Sequence, residues 1–172
     1  HRRRHSFPTR RSSDLNVRPQ TAGRDIDLGT KTAGKLALTD AELDRVALTD
    51  PANGFVRIGS SDSGRIDVTA PVSLDAAKVR NLSLLNNGPI DDNGAAGSVA
   101  VENLRVTSAG AVKLNGNVAT LAANVLGAGN DFRYTDVDNY NLGTVDAVKG
   151  ITTTGTGRAL LASQTGAITT DA

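Results

Sequence analysis

A short unit that couples one glycine to two alternating aliphatic residues recurs along the chain and constrains its fold more than any other feature. The unit reads Gly-x-φ-x-φ, where φ is Val, Ile or Leu. Its period of two places both aliphatic side chains on one face of an extended segment and the intervening residue on the other. Each unit therefore predicts a short strand with a dry aliphatic side and a polar side. Full copies begin at Gly34, Gly54, Gly64, Gly97 and Gly110, and a weaker copy begins at Gly166.

Further segments with the same alternation lie between these units, at residues 72–74, 82–84, 104–106 and 118–121. The connecting segments are rich in Asn, Asp, Gly and Ser, residues that tolerate left-handed backbone and form tight corners. Only residues 38–46 have helical character, with Thr39 or Asp40 as the N-cap. A further strand is the alternative for that segment.

Many short one-sided strands fit an antiparallel sandwich, a propeller or a parallel β-helix. The β-helix is favoured because the units repeat in the same sense, whereas the Asn-Gly pairs that would mark hairpins are irregularly placed. The leading glycines 34, 64 and 97 are 30 and 33 residues apart. A coil of three strands and three corners takes about twenty to thirty residues. We expect roughly five to seven coils stacked about 4.8 Å apart, with an aliphatic core and asparagine ladders at corners.

The first fifteen residues do not belong to this pattern. Residues 5–15, HSFPTRRSSDL, match the translation of the end of a widely used sequencing-library adapter in one reading frame. We therefore divide the chain into residues 1–15, a foreign peptide expected to be disordered and to pack against nothing, and residues 16–172, a β-helix repeat segment expected to be truncated at both ends.

Setting that peptide aside changes the charge and the chemistry of the chain. The whole chain carries 19 Lys+Arg and 18 Asp+Glu, but residues 1–15 hold five of the arginines, one aspartate and both histidines. The remainder has 14 basic and 17 acidic residues, a net charge of −3, which lacks the basic footprint of nucleic-acid binding. There is no Cys, Met or Trp, and aromatic residues make up 3% of the chain. These counts exclude disulfides and thiolate metal sites and predict a core of Val, Ile, Leu and Ala.

Residues 112–125, 131–136, 142–146 and 150–154, together with residues 64–72, resemble the repeat region of filamentous-haemagglutinin-like adhesins of Gram-negative bacteria. The resemblance spans most of residues 24–172. It implies a right-handed parallel β-helix rod that is exported through an outer-membrane transporter, by a two-partner or autotransporter route, and displayed at the cell surface. Receptor or glycan binding would then belong to parts of the parent protein outside this chain. On this basis we expect a structural stalk segment that supports adhesion and is not an enzyme.

The alternative is a carbohydrate-active β-helix enzyme, a polysaccharide hydrolase or lyase, which needs clustered carboxylates. Asp91 and Asp92 form the best pair, Asp136 and Asp138 the next, and Asp67 the third carboxylate that would have to lie on the same outer face. Aspartates beside Asn and Gly are also common in corners for backbone reasons.

Two further segments contain residues that are typical of ligand sites. Residues 91–94, DDNG, lack the ligand spacing of a calcium loop. Phe132, Tyr134 and Tyr140 could stack on a sugar or cover an irregular coil from inside. We expect no catalytic, cofactor-binding or metal-binding residue, no cofactor, and self-association of the chain end to end through open sheet edges.

Overall fold

The computed structural model of the protein describes residues 13–94 and 96–171. The fold is all-β, with one short helix, α1 (Asp40–Leu43). The strands, in chain order, are β1 (Leu15–Val17), β2 (Ile26–Gly29), β3 (Leu36–Thr39), β4 (Phe55–Gly59), β5 (Ile66–Val68), β6 (Val72–Ser73), β7 (Asn81–Asn86), β8 (Ile90–Asp91), β9 (Val99–Ser108), β10 (Val112–Val125), β11 (Phe132–Asp136), β12 (Tyr140–Leu142), β13 (Thr144–Val145), β14 (Val148–Lys149), β15 (Ile151–Thr153), β16 (Ala159–Ser163) and β17 (Ile168–Thr170).

Fifteen strands form one curled, open sheet, and the pairings recorded for it are parallel. The strands of this sheet form three rows, which the chain visits in turn between β5 and β10. The first row is β3-β2-β5-β8-β10-β11-β16, which uses the start of β10. The second joins β6 to the start of β9 and the middle of β10. The third joins β1, β4, β7 and the ends of β9 and β10 to β12, β15 and β17. Parallel pairing in this sheet contradicts an antiparallel sandwich.

The core consists of aliphatic side chains stacked in columns across the rows, as the alternation predicts. Val56, Leu82, Leu104 and Leu121 occupy one column of the third row, and each is at most 1% exposed. In the first row Ile26, Ile66, Ile90, Val112 and Phe132 form an equivalent column. Each fully buried side chain of this size contributes about 1.5–3 kcal/mol relative to exposure.

All six glycine units precede a strand, but the glycines do not mark one position per repeat. Gly64 and Gly110 lead into the first row, Gly97 into the second and Gly54 into the third. The 33-residue spacing from Gly64 to Gly97 is therefore not a repeat length. Register partners in the first row recur after 24, 22, 20 and 27 residues, at Ile66, Ile90, Val112, Phe132 and Ala159.

At two of the leading positions, Gly97 and Gly110, a side chain has no room. A Cβ on Gly97 would lie 1.9 Å from the carbonyl oxygen of Val68, and one on Gly110 would lie 2.4 Å from the backbone nitrogen of Pro89. In both cases the obstacle is backbone of the preceding layer, at Val68, the last residue of β5, and at Pro89, which directly precedes β8. Glycine is needed here because two backbones approach closely.

Residues 38–46 include the helix and confirm its predicted N-cap. The Thr39 side chain accepts a hydrogen bond from the Glu42 amide, and the Glu42 carboxylate accepts one from the Thr39 amide at 3.0 Å. This capping box begins α1, whose Leu43 is buried. The preceding strand β3 pairs with β2 on the side opposite β5, so β3 lies at an edge of the first row.

A stacked asparagine pair confirms the expected corner ladder. Asn81 and Asn103 are register partners, and Asn103 Nδ2 donates to Asn81 Oδ1 at 2.9 Å. Asn81 Nδ2 in turn donates to the Gly54 carbonyl at 2.9 Å. The buried amide of Asn81 is thereby satisfied at both of its ends.

The expectation that residues 1–15 pack against nothing is wrong at Asp14 and Leu15. Leu15 pairs with Val56 and packs against the core, because it continues the aliphatic column of the third row. Asp14 forms an ion pair with Arg57, with 2.6 Å between Oδ2 and Nη1. Residues 1–12, including Phe7, lie outside the described residues.

Candidate functional site

The register of the first row brings Asp67 and Asp91 onto the same outer face. Asp27, Asp67 and Asp91 are consecutive register partners on β2, β5 and β8. Adjacent parallel strands are about 4.8 Å apart, so three like charges stand in one column. Asp67 and Asp91 thus lie on adjacent strands and face the same side, which is the arrangement that the enzyme alternative requires of these two residues.

The partners of these carboxylates determine what they can do. Asp67 is held by Lys35, with 2.5 Å between Oδ2 and Nζ, and by Arg65. Burial alone would raise the pKa of Asp67, but the hydrogen bonds from Lys35 and Arg65 outweigh it and hold that pKa below its usual range. A general acid for glycosidic cleavage needs a raised pKa, so Asp67 is poorly suited to that role.

The two other members of the column are also engaged. Asp27 is fully buried and accepts hydrogen bonds from the hydroxyl groups of Thr30, Thr32 and Thr69. Asp91 lies 3.6 Å from Arg65 Nη2 and accepts a 2.7 Å hydrogen bond from the Asn93 amide. The three carboxylates of the column therefore all accept hydrogen bonds or form ion pairs with neighbouring protein groups.

Asp92 differs from its neighbour Asp91 by being buried. Its two oxygens accept hydrogen bonds from Lys113 Nζ at 2.9 Å and from Asn115 Nδ2 at 2.6 Å. The hydrogen bond with Asp92 raises the pKa of Lys113. The adjoining Asn93 and Gly94 adopt positive φ angles of 52° and 75°, as a tight corner requires. Within residues 13–94 and 96–171, no group of three or more His, Cys, Asp or Glu side chains could hold a metal ion.

The pair Asp136 and Asp138 is divided between the interior and the surface. Asp136 is fully buried and accepts hydrogen bonds from the Val118 amide at 3.0 Å and from the Tyr134 hydroxyl. Asp138 is exposed, and its amide donates to Asp136 at 3.1 Å. Asp136 thus closes a corner from inside, and the two carboxylates do not face a common substrate position.

The three aromatic residues line the interior and do not offer a sugar-stacking surface. Phe132, Tyr134 and Tyr140 are each at most 2% exposed. The Phe132 and Tyr134 rings stack with centroids 6.4 Å apart, and Tyr140 meets Tyr134 edge-on at 5.4 Å. Burial raises the pKa of Tyr140 to about 12, so its hydroxyl group stays neutral.

A cluster of charges that the sequence did not reveal lies on the outer face of the third row. Arg57, Ser83 and Arg105 are consecutive register partners on β4, β7 and β9. Asp146 reaches them from the turn of the β13–β14 hairpin, the antiparallel pair of the structure's second sheet. Its carboxylate accepts two hydrogen bonds from Arg57, at 3.0 Å from Nε and 2.7 Å from Nη2, and one from Arg105 Nη1 at 2.8 Å.

The two arginines set the ionisation of Asp146. Burial alone would raise its pKa, yet the hydrogen bonds from Arg57 and Arg105 hold it below the usual range. Arg57 is further fixed by the Phe55 ring, whose centroid lies 4.8 Å from the guanidinium carbon. The outcome is a rigid, bidentate arginine–carboxylate contact that ties residues 144–149 to the sheet.

A groove of about 670 Å³ adjoins this cluster. We call it the arginine groove and define it by all the residues that line it, polar and apolar: Asn16, Arg18, Arg57, Gly59, Ser60, Ser61, Ser83, Leu85 and Arg105. Its size lies within the range of about 300–1,000 Å³ that is typical of small-molecule sites.

Comparison of the chain with protein-family models, with curated proteins and with solved structures finds no match. In residues 13–94 and 96–171 no helix is long and apolar enough to span a membrane.

Proposed function

We propose that residues 16–172 are a structural stalk segment of a large secreted adhesin, folded as a right-handed parallel β-helix of about five to seven coils. The observation that supports this proposal is the cyclic order in which the chain visits the three rows. For example, β5, β6 and β7 lie in the first, second and third rows, and β8 returns to the first row beside β5. The first row contains seven strands, and because β2 and β3 follow each other with no strand of another row between them, the chain passes through this row six times, which fits the proposed number of coils.

The mechanical role follows from the additive way in which such a stack is stabilised. Each layer buries its aliphatic residues against the layers beside it and forms backbone hydrogen bonds along the stacking direction. Length is then gained by adding layers, without a change in the core. The proposed role is to hold a receptor- or glycan-binding region, located elsewhere in the parent protein, away from the bacterial surface.

Export through an outer-membrane transporter and display at the cell surface belong to the same proposal. The absence of cysteine supports it, because a chain without thiols forms no disulfide before translocation. The carboxylates that chemistry would need are occupied by lysine, arginine and threonine partners, which supports a role without catalysis.

The ends of the stack bear on self-association. β16 pairs with β11 and β17 with β12, and each has an unpaired side within residues 13–94 and 96–171. Leu160 and Ile168 on these strands are each 39% exposed. Open parallel edges with apolar side chains favour association with another chain, so we propose end-to-end contacts between isolated copies.

The test is to recover the parent gene by sequencing outward from the codons of residues 16–171 in the source DNA, and to label intact cells with antibodies raised against this segment. The proposal predicts further Gly-x-φ-x-φ units on both sides, a secretion domain, and labelling without permeabilisation. Flanking sequence without such units, together with labelling only after permeabilisation, would contradict it.

One observation favours the second candidate, a carbohydrate-active β-helix enzyme: Asp67 and Asp91 share an outer face. The ion pairs of Asp67 weigh against it. Release of reducing ends or of unsaturated products from polygalacturonate and other acidic and neutral polysaccharides tests this candidate. The stalk proposal predicts no release above a D67N/D91N control.

A further inference from the structure

We propose that Asn93 is a site of covalent modification by spontaneous deamidation, and that in the folded chain it reacts faster than the asparagine of any other Asn-Gly pair. The chain contains four such pairs, which begin at Asn53, Asn87, Asn93 and Asn115. All four have the same reacting groups, so differences in rate between them come from the fold. The inference does not depend on the stalk proposal, and its failure would leave that proposal untouched.

The reaction needs two groups of one Asn-Gly pair to be free at the same time. The glycine backbone nitrogen attacks the side-chain carbonyl carbon of the asparagine and closes a succinimide ring, and the side-chain nitrogen leaves as ammonia with the proton of the attacking amide. One water molecule then opens the ring at either carbonyl, which gives aspartate or isoaspartate. Glycine favours the attack because it has no Cβ and its backbone turns easily. A hydrogen bond donated by either amide must be broken first, and each such bond slows the reaction.

At Asn93 both reacting groups are free. Asn93 and Gly94 are exposed, and neither the Asn93 side-chain amide nor the Gly94 backbone amide has a hydrogen-bond partner within residues 13–94 and 96–171. The hydrogen bond that Asn93 does donate comes from its own backbone amide, which takes no part in the reaction. Gly94 has a φ angle of 75°, and a Cβ placed on it would meet no atom within 4 Å. The space around the attacking nitrogen is therefore open.

Asn53 is the matched contrast, because its side chain is exposed as well. Its side-chain nitrogen donates to both carboxylate oxygens of Asp50, at 3.2 and 3.0 Å. The Gly54 amide, which is the nucleophile of this pair, donates to the Asp50 carbonyl at 2.8 Å, and Gly54 is buried. Exposure of the asparagine therefore does not distinguish Asn53 from Asn93, whereas hydrogen bonding does.

Asn115 is restrained by the sheet. It lies within β10, where Gly116 has register partners on both neighbouring strands, Val99 and Asp136. Asn115 Nδ2 donates to Asp92 at 2.6 Å, and Gly116 is buried. Reaction at Asn115 therefore requires local opening of the strand.

Asn87 is an intermediate case. Its side chain is exposed and has no hydrogen-bond partner in the part of the chain that the structure describes. The Gly88 carbonyl, however, accepts hydrogen bonds from the Gly110 amide at 3.1 Å and from the Ser108 hydroxyl group at 2.7 Å. These contacts hold Gly88 in place and oppose the backbone rotation that brings its nitrogen to the Asn87 side chain.

The product changes the corner between β8 and β9. Each conversion replaces a neutral amide by a carboxylate directly after Asp91 and Asp92 in the chain. In isoaspartate the main chain also runs through the side-chain methylene group and is one atom longer. The modified chain therefore carries one more negative charge, and isoelectric focusing resolves it from the unmodified chain.

The test is to incubate the folded full chain at mildly alkaline pH in water enriched in heavy oxygen, and to measure by peptide mapping and mass spectrometry how fast each Asn-Gly pair takes up the label. We expect Asn93 to react at least about ten-fold faster than Asn53 and Asn115, because loss of one or two hydrogen bonds accounts for such a factor. Asn87 should lie between them, and the four rates should converge in the urea-unfolded chain. Equal rates in the folded chain, or the same differences in urea, would overturn the inference.

Two variants test whether the hydrogen bonds set these rates. Asp50→Ala removes the partner of the Asn53 side chain but keeps the backbone hydrogen bond of Gly54, so the rate at Asn53 should rise several-fold. The rate at Asn115 should stay low, which shows that the variant is folded. Asn93→Gln is the matched control, because a glutamine would have to close a larger and less favourable ring. Its peptide should lose the label while the other three pairs are unaffected. An unchanged rate at Asn53 in Asp50→Ala, or persistent label in the Asn93→Gln peptide, would refute the inference.

Discussion

Residues 110–114 and 166–170 share one sequence pattern and have opposite surroundings. In the first unit Val112 and Leu114 are each 1% exposed, because β10 has β8 on one side and β11 on the other. In the second, Ile168–Thr170 is exposed throughout and pairs with β12 alone. Whether the aliphatic residues of a unit are buried therefore depends on having a neighbouring strand on each side. The sequence of the unit alone determines only which side chains face the core.

The largest expected effect tests this difference directly. Leu104 is fully buried between strands on both sides, and Leu104→Ala should lower the free energy of unfolding by about 2–5 kcal/mol through lost burial and an unfilled cavity. Ile168→Ala at the exposed edge should change it by less than about 0.5 kcal/mol. Urea unfolding at low protein concentration, followed by circular dichroism, measures both. Equal losses of unfolding free energy in the two variants would contradict the difference between the centre and the edge of the sheet.

A second prediction concerns the close approach of backbones in the centre of the sheet. Gly97→Ala would set a Cβ against the Val68 carbonyl, and we expect a loss of about 1–3 kcal/mol. Gly143→Ala is the matched control near β12, because the three atoms nearest to its Cβ would belong to the side chains of Thr120, Asp171 and Asn141 and not to the backbone. Thermal melts of the two variants should separate clearly. A melting temperature for Gly97→Ala at or above that of Gly143→Ala would show that the backbone at Val68 shifts to make room for the Cβ.

A third prediction uses the hairpin that links the late part of the chain to the centre. Asp146→Asn weakens the contacts with Arg57 and Arg105 and should cost about 1–2 kcal/mol at neutral pH. Because the folded-state pKa of Asp146 is lowered, its stabilisation is present above the ordinary value of 3.8 and is lost as pH falls through the folded-state pKa. The stability difference between the two proteins should therefore shrink below about pH 4. A difference that persists unchanged at pH 2 would contradict this assignment.

The smallest effect is expected at the other edge of the sheet. Thr39→Ala removes the N-cap of α1 and should cost about 1 kcal/mol. Thr39→Ser, which keeps the hydroxyl group, should retain most of the stability. Hydrogen exchange at the Glu42 amide provides the local measure, since this amide donates to the Thr39 hydroxyl group. Equal protection in both variants would show that the cap is not what holds this turn.

The sequence was sufficient to locate strands and the direction of their side chains, but not their register. The alternation around Leu82 and Leu104 identifies inward positions, because a period of two is a local property. Which strand stacks on which depends on connections of unequal length: the recurrence of 20–27 residues agrees with the expected coil of about twenty to thirty residues, whereas the 33-residue spacing from Gly64 to Gly97 joins two different rows. For the same reason the sequence did not show whether Asp67 and Asp91 lie side by side, as the enzyme alternative requires.

The candidate site was hidden from sequence for a related reason. The β13–β14 hairpin turns at Asp146 and Ala147, which have positive φ angles of 47° and 65°. Two-residue turns with positive φ angles usually contain Asn-Gly or Asp-Gly, so the Asp-Ala sequence at this position did not predict a hairpin. Arg57 and Arg105 are far from this turn along the chain, and only the parallel register places them beside it.

The most direct test of the account is disulfide trapping of the parallel register, which the cysteine-free chain makes clean. Asn115 on β10 and Thr135 on β11 are register partners, whereas Lys113 pairs with Arg133. Disulfides form readily when the two Cα atoms are about 4.4–6.8 Å apart, and not beyond about 7 Å without backbone movement. The account predicts rapid oxidation of N115C/T135C and little of K113C/T135C, and equal or reversed oxidation of the two pairs would contradict it.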